Sequence, residues 1–391
     1  GERLMGFRGW LVGISLFLVV GCGGIGGDEN GVGGTGVPSW TSETAWHLEE
    51  DLRVGSPVVE GEEAPDQFGR IWSITSDSVG RIYVAEGMSQ EIRVFYPDGS
   101  FSHLIGGEGS GPGEFTALRA MTFIRGDTLW VLDDGLSRYT AFTSDGEVIE
   151  TRPRMARGFL RTAPWSFLGD GTPMDWGISF PDGRNGARTE LTPILFDPGF
   201  LRPDSFPPIV HDTRMLPDGS MPLPYFGGEL TVGLDHRGGI WFAHSRDYRI
   251  FRRTFAGDTT AVISLVEEPA EVGEAERNYI RTSFARRPDL ASIFLESLPE
   301  TKPIVRGILP DNTGHVLVFP DIAGAPEGTV VDVFEEKGAY LGRVPSPVPI
   351  RSVSPGRGPV VHVTPDYLFA VVYDSVDIPY VSRMRIVRGS R

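Results

Sequence analysis

Two landmarks in the first third of the chain recur at one spacing, and that spacing limits the folds open to the rest. Gly80-Arg81-Ile82-Tyr83-Val84-Ala85-Glu86 is followed by Ile92-Arg93-Val94-Phe95 and the turn Asp98-Gly99. A second copy runs Asp127-Thr128-Leu129-Trp130-Val131-Leu132-Asp133, then Tyr139-Thr140-Ala141-Phe142 and Asp145-Gly146. Tyr83 to Trp130 and Asp98 to Asp145 both span 47 positions. A repeat of this length holds three or four short strands with two apolar faces, so each unit must stack on its neighbours.

Looser copies continue the pattern. Asp235 to Phe242 pairs with Ile250 to Phe255, Asp311 to Val318 with Val330 to Phe334, and Tyr367 to Val371 with Tyr380 to Val387; a degenerate unit runs from Trp165 to Phe196. The 51 glycines and 31 prolines punctuate short segments rich in Val, Ile, Phe, Tyr and Trp, which makes the chain mostly β. Six units that close on themselves leave no exposed end, so the expected fold is all-β, a six-bladed β-propeller. The last unit lacks an outer strand, and Trp46 to Val54 precedes the first unit as a spare one. Joining them closes the ring, giving a single propeller over 46–391 with its N-terminal strand in the last blade.

The segment Gly80 to Phe115, with IYVAE, IRVF, a PDG turn and GGEGSGPGEF, resembles NHL-type repeats and the six-bladed propeller lipoproteins that carry them. The match is good over two units. In such families the residue closing the IYVAE-type strand is usually Asp; here it is Glu86 in the first unit and Asp133 in the second. The resemblance implies the fold, while function differs among such propellers, which include binding modules, lyases and hydrolases.

The N-terminal 37 residues have a different character. Arg3 and Arg8 precede an apolar run from Trp10 to Val20, too short for a stable bilayer span, and the run ends in Val19-Val20-Gly21-Cys22. That ending resembles the bacterial lipobox, with Cys22 as the lipid-bearing residue. Met5 is a candidate start. Residues 1–21 therefore read as a lipoprotein signal peptide and 22–45 as the lipidated cysteine with a flexible Gly-rich tether. Cys22 is the only cysteine, so no disulfide forms within the chain and the core alone must hold the domain. The expected location is outside the cytoplasm, lipid-anchored to a bacterial membrane on its periplasmic or cell-surface side.

In a propeller, the loops between second and third strands share one rim with the connections between blades. On that rim the candidates for ligand contact are Glu86, Asp133, Asp134, Asp175, Trp176, His244, Arg246, Arg306, Asp321 and Asp374, with Arg119, Arg154, Arg157 and Arg351 near blade entries. Carboxylates, guanidiniums and an aromatic ring suit a polar ligand. The same rim carries the longest departure from the repeat. Ala275 to Ala285 and Asp289 to Leu298 have helical apolar spacing, so a short helical insertion is expected at about 270–299. A second long connection, Pro198 to Gly228, is expected to border the same opening.

Catalytic signatures are sparse. The sequence has no Gly-x-Ser-x-Gly, no phosphate loop and no His-Glu-x-x-His. His236 and His315 fall in turns on the opposite rim from His244, too far to share one ion. No cofactor is expected, although a divalent metal on the propeller axis stays open. A net charge of −16 opposes nucleic acid and anionic lipid. The leading expectation is a monomeric, non-catalytic binding or scaffolding propeller on the cell envelope that recognises a glycan, peptide or protein. A metal-dependent lyase or lactone hydrolase using rim carboxylates and His244 is one alternative, and a purely structural lipoprotein is the other.

Overall fold

The computed structural model describes residues 38–41, 43–57, 64–124, 127–154, 166–181, 188–212, 230–244, 246–311, 313–350 and 361–389. Cys22, Arg157 and Arg351 lie outside them, as do the expected signal peptide and residues 22–37 of the expected tether. The described chain opens with β1 (His47–Val54). Blade one is β2 (Ile71–Ser76), β3 (Ile82–Glu86), β4 (Glu91–Phe95) and β5 (Phe101–Gly106); blade two is β6 (Leu118–Ile124), β7 (Thr128–Asp133), β8 (Arg138–Phe142) and β9 (Val148–Pro153). Blade three holds β10 (Ser166–Phe167), β11 (Pro173–Ser179), β12 (Arg188–Phe196), β13 (Pro203–Ser205) and β14 (Ile209–Asp212). Blade four is β15 (Leu230–Leu234), β16 (Ile240–His244), β17 (Arg249–Arg253) and β18 (Thr259–Ser264).

After α1 (Glu274–Ser283) and α2 (Pro288–Ser297), blade five is β19 (Val305–Pro310), β20 (His315–Pro320), β21 (Val330–Glu335) and β22 (Tyr340–Pro345). Blade six is β23 (His362–Val363), β24 (Tyr367–Tyr373) and β25 (Pro379–Val387), and β1 pairs antiparallel with β25 as its outer strand.

In blades one, two, four and five the strands pair antiparallel in chain order, which produces the two burial patterns seen along them. The central strand β3 is buried at every position, because neighbouring blades cover both of its faces; the outer strands β5 and β9 are half exposed. The Asp-Gly turns need a left-handed residue, and Gly99 and Gly146 supply it with φ of 87° and 93°. Blade three departs from the others. Its outer position is shared by β13 and β14, both paired to β12, so part of the long connection expected from Pro198 onward is strand.

The core is six apolar clusters, one at each seam between blades. Tyr83, Val94, Leu118 and Val131 join blades one and two; Trp130, Tyr139 and Phe200 join two and three; Trp176, Leu191, Val232 and Ile240 join three and four. Trp241, Ile263, Val305 and Val318 join four and five, Leu317, Val333, Leu368 and Met384 join five and six, and Ile74, Val84, Phe369 and Val371 return to blade one. Each fully buried large apolar side chain contributes about 2–3 kcal/mol relative to exposure. Stability is therefore distributed around the ring rather than held in one centre.

First strands lie innermost, since they touch one another across seams: Met121 N donates to Ser73 Oγ at 3.4 Å and Thr231 Oγ1 to Val305 O at 3.2 Å. At the closing seam, Ser76 Oγ and His362 Nε2 lie 3.0 Å apart. Burial there pushes the His362 imidazole down to about 4, although part of the residue reaches solvent. An unfolded histidine titrates near 6.5, so this stability is complete above that pH and is lost as pH falls from about 6.5 toward 4, by at most about 3 kcal/mol. Urea midpoints at pH 7 and pH 5 are expected to differ less in His362→Gln than in the wild type.

The chain enters the ring through a second clamp. Ser39 N and Trp40 N donate to Tyr340 O and Leu341 O of β22, and Trp40 stacks on Trp46 with centroids 5.4 Å apart. Trp46 packs edge-on against His315 at 4.7 Å and beneath Arg388 at 4.6 Å. These contacts lie on the rim of the first-to-second and third-to-fourth strand turns, here the turn rim. The other rim, where inner strands begin, is the entry rim.

Candidate functional site

Among the described residues, three inner strands carry one extra residue at the same place, just inside the entry rim. The β2–β3 register passes from Ile71↔Glu86 to Ser73↔Ala85, leaving Trp72 over; β6 leaves Arg119 over in the same way, and β19 leaves Arg306. Such bulges re-aim a side chain and are frequent beside binding sites. Trp72 and Arg119 are 47 positions apart, so the bulge belongs to the repeat.

Each bulged residue meets the first residue after the second strand of its own blade. The backbone N–H groups of Gly87, Asp134 and Asp321 donate to Arg70 O, Ala117 O and Ile304 O at 2.7, 3.0 and 2.9 Å, which makes the three positions equivalent. Asp134 pairs with Arg119 and Asp321 with Arg306, at 3.5 and 2.9 Å. In blade one the partner has no side chain, because a Cβ on Gly87 would sit 2.0 Å from Trp72 Nε1. The glycine leaves room for the indole.

Glu86 and Asp133 hold the entry loops in place. Glu86 accepts Gly69 N and Arg70 N on one oxygen and Met88 N, Ser89 N and Ser89 Oγ on the other, at 2.6–3.1 Å. Asp133 does the same with Thr116 N, Ala117 N, Gly135 N and Leu136 N. Burial alone would raise the Glu86 pKa, but hydrogen bonds from Ser89, Arg70 and Met88 hold it below the ordinary value. Both carboxylates are 1% exposed, so as ligand contacts they are corrected to clamps on the rim.

The remaining candidates fall into separate groups. Trp176 is 1% exposed in the seam between blades three and four, a core residue rather than a rim one. Asp175 takes Arg154 Nε at 2.8 Å and the Tyr139 hydroxyl, and Arg154 Nη1 reaches Asp134 at 2.6 Å. Burial raises the Asp134 pKa against the pull of Arg154 and Arg119. Asp374 caps its own loop through Val376 N and Ile378 N, both at 2.9 Å. His244 is exposed and stacks on His211 with centroids 5.7 Å apart, and Arg246 is exposed in the following turn. No group of three or more His, Cys, Asp or Glu side chains suited to a metal is found among the described residues.

What remains is an arginine–tryptophan cradle across blades one and two. The Arg119 guanidinium lies 4.5 Å from the Trp72 ring and that of Arg70 lies 5.3 Å from the same ring. Both distances are within cation–π range. Among the described residues neither guanidinium donates a hydrogen bond, and Asp134, the carboxylate paired with Arg119 at 3.5 Å, is held at closer range by Arg154. Arg70 and Trp72 were absent from the sequence candidates. Carrying the 47-residue period back from Arg119 would have found Trp72.

Blade five, opposite blade two in a ring of six, carries the third bulged residue. Arg306 pairs with Asp321 and donates to Ile350 O at 3.1 Å, and burial pushes the Asp321 carboxyl up to about 6. The helical insertion is seated beside it. Ala270 N donates to Asp321 O at 3.1 Å, and Lys302 Nζ bonds Glu276 of α1 at 2.5 Å and Glu327 at 2.9 Å. Phe284 and Phe294 pack the two helices together at 5.0 Å.

A family model described as a 6-bladed beta-propeller matches residues 67–153, which hold blades one and two and the whole cradle. The protein is a six-bladed β-propeller. No curated protein matches the sequence. Among solved structures, a Bacteroides fragilis protein described as exported is 10% identical with a TM-score of 0.50, covering 91% of this chain and 99% of that one. A virginiamycin B lyase from Staphylococcus aureus is 12% identical with a TM-score of 0.40, covering 88% and 100%. A gluconolactonase from Xanthomonas campestris is 11% identical with a TM-score of 0.42, covering 88% and 98%. At 10% identity the likeness to the Bacteroides fragilis protein is one of fold. No helix among the described residues is long and apolar enough to cross a membrane.

Proposed function

We propose that this propeller is an exported binding protein, held on the envelope by a lipid on Cys22, that recognises a carboxylate-bearing polar ligand on its entry rim. One observation carries the reading: a bulge places Arg119 against Trp72 with its terminal amino groups donating to no acceptor among the described residues. A guanidinium so held is pre-organised for the two-pronged hydrogen bonding that a carboxylate accepts. Little ordering entropy is left to lose when the ligand arrives.

Calorimetric titration of the full chain with galacturonate and galactose isolates the acid group, since one carries a carboxylate where the other has a hydroxymethyl. Saturable binding of galacturonate alone is expected. Arg119→Ala should weaken it about 10- to 100-fold, the worth of a hydrogen bond to a charged group. Equal binding of both sugars, binding of neither, or an unaffected Arg119→Ala variant would overturn the reading. The anchor has its own test: Cys22→Ser should move the protein from the membrane to the soluble fraction, and unchanged fractionation would remove that part.

A further inference from the structure

We infer that the cradle reads two carboxylates on successive units of an acidic oligosaccharide, with Arg119 and Arg70 each taking one across the shared Trp72. This deepens the proposed ligand reading and rests on it. The two guanidinium carbons lie 4.5 and 5.3 Å from one ring centroid, so they are at most about 10 Å apart. Carboxylates on adjacent pyranose rings fall within that span. Each guanidinium takes one carboxylate in two-pronged fashion, so a pair of forks on one ring suits a pair of acid groups.

The blades fix the backbones that carry the two forks. Arg70 has its backbone N–H bound to Glu86 at 2.7 Å and its carbonyl bound by Gly87 N at 2.7 Å, while Arg119 is set by the β6 bulge. The Trp72 indole lies against Gly87, where a Cβ would stand 2.0 Å from its Nε1. A rigid pair of forks favours a ligand whose acid groups are equally fixed. Pyranose rings meet that condition, whereas the carboxylates of an acidic peptide hang on side chains that lose rotamer freedom on binding. Long-range attraction does not assist, since the chain carries a net charge of −16; recognition depends on contacts shorter than the roughly 8 Å screening length of physiological salt.

Calorimetry on the full chain with galacturonate, digalacturonate and a Glu-Glu dipeptide tests the inference. Digalacturonate should bind at least tenfold tighter than galacturonate, and the dipeptide should gain less. Arg70→Ala should collapse the ratio of the two sugar affinities to about one or two. Arg70→Lys keeps the charge without the planar fork and should restore only part of the ratio. Circular dichroism establishes that each variant is folded. Equal wild-type affinities for the two acids would overturn the two-carboxylate inference while leaving single-carboxylate recognition standing. A dipeptide gain equal to that of the disaccharide would overturn the oligosaccharide assignment. If neither acid binds, both readings fall.

Discussion

Replacing Asp332 by alanine is expected to lower the unfolding free energy by about 3–5 kcal/mol, the scale for breaking a buried charged network. Asp332 is fully buried on β21 and accepts Tyr248 Oη at 2.6 Å, Tyr340 Oη at 3.0 Å, and Arg343 Nε and Nη2 at 2.8 and 3.0 Å. Tyr248 belongs to blade four, so one carboxylate joins two blades. Burial first, and the neighbouring Asp332 charge next, hold the Tyr248 hydroxyl well above its usual pKa, so it donates throughout the physiological range. Alanine leaves two hydroxyls without their acceptor and Arg343 with Glu267 alone, at 2.7 Å. Asp332→Asn retains an acceptor and should lose less. Urea denaturation measures both, and a loss below about 1 kcal/mol for the alanine variant would contradict the account.

Glu86→Ala is expected to lower stability by about 3 kcal/mol and to weaken ligand binding as well, because the same carboxylate serves two loops. Four backbone N–H groups would lose their acceptor, each with an unsatisfied cost of about 1–3 kcal/mol that local relaxation and water reduce. Arg70 and Gly69 would no longer be fixed relative to Met88, so the cradle should loosen with them. The sign of the pH dependence follows from the lowered pKa of the folded carboxyl. Its stabilisation is present above the unfolded value near 4.3 and is lost as pH falls through the lower folded one. Glu86→Gln should remove that pH dependence while keeping part of the stability. Denaturation between pH 3 and pH 7 tests this, and parallel profiles for wild type and Glu86→Gln would contradict it.

Much of the architecture was legible because a propeller repeats its turns. Asp98-Gly99 and Asp145-Gly146 mark the same turn in blades one and two, and the period between them passes unchanged through the bulges at Trp72 and Arg119. Blade three was harder to read, since its outer edge is shared by two short strands with no counterpart elsewhere. The helical insertion announced itself through apolar spacing, and α1 and α2 occupy it.

The site was less legible for a physical reason. Strands inside a propeller are covered on both faces, so polar residues at their ends are buried and satisfied instead of exposed. Glu86 and Asp133 look like rim carboxylates in sequence and are structural clamps in the fold. Asp175 and Trp176 alternate across β11, yet both faces of that strand are covered and both residues are buried. Trp72 resembled one more apolar strand residue, and only the bulged register shows it as an extra one.

The point where the chain enters the ring sets how the closing strand would respond to tension. Trp40 and Trp46 are fastened on the turn rim, and β1 then runs along β25 toward the entry rim, from His47↔Val387 to Val54↔Val381. A pull on the chain before Trp40, opposed by a ligand held in the cradle, would act along the length of β1. The two strands would then be sheared past one another, with their cross-strand hydrogen bonds loaded together instead of parting one at a time. The strand that closes the ring is thereby set in the direction in which a sheet resists tension best.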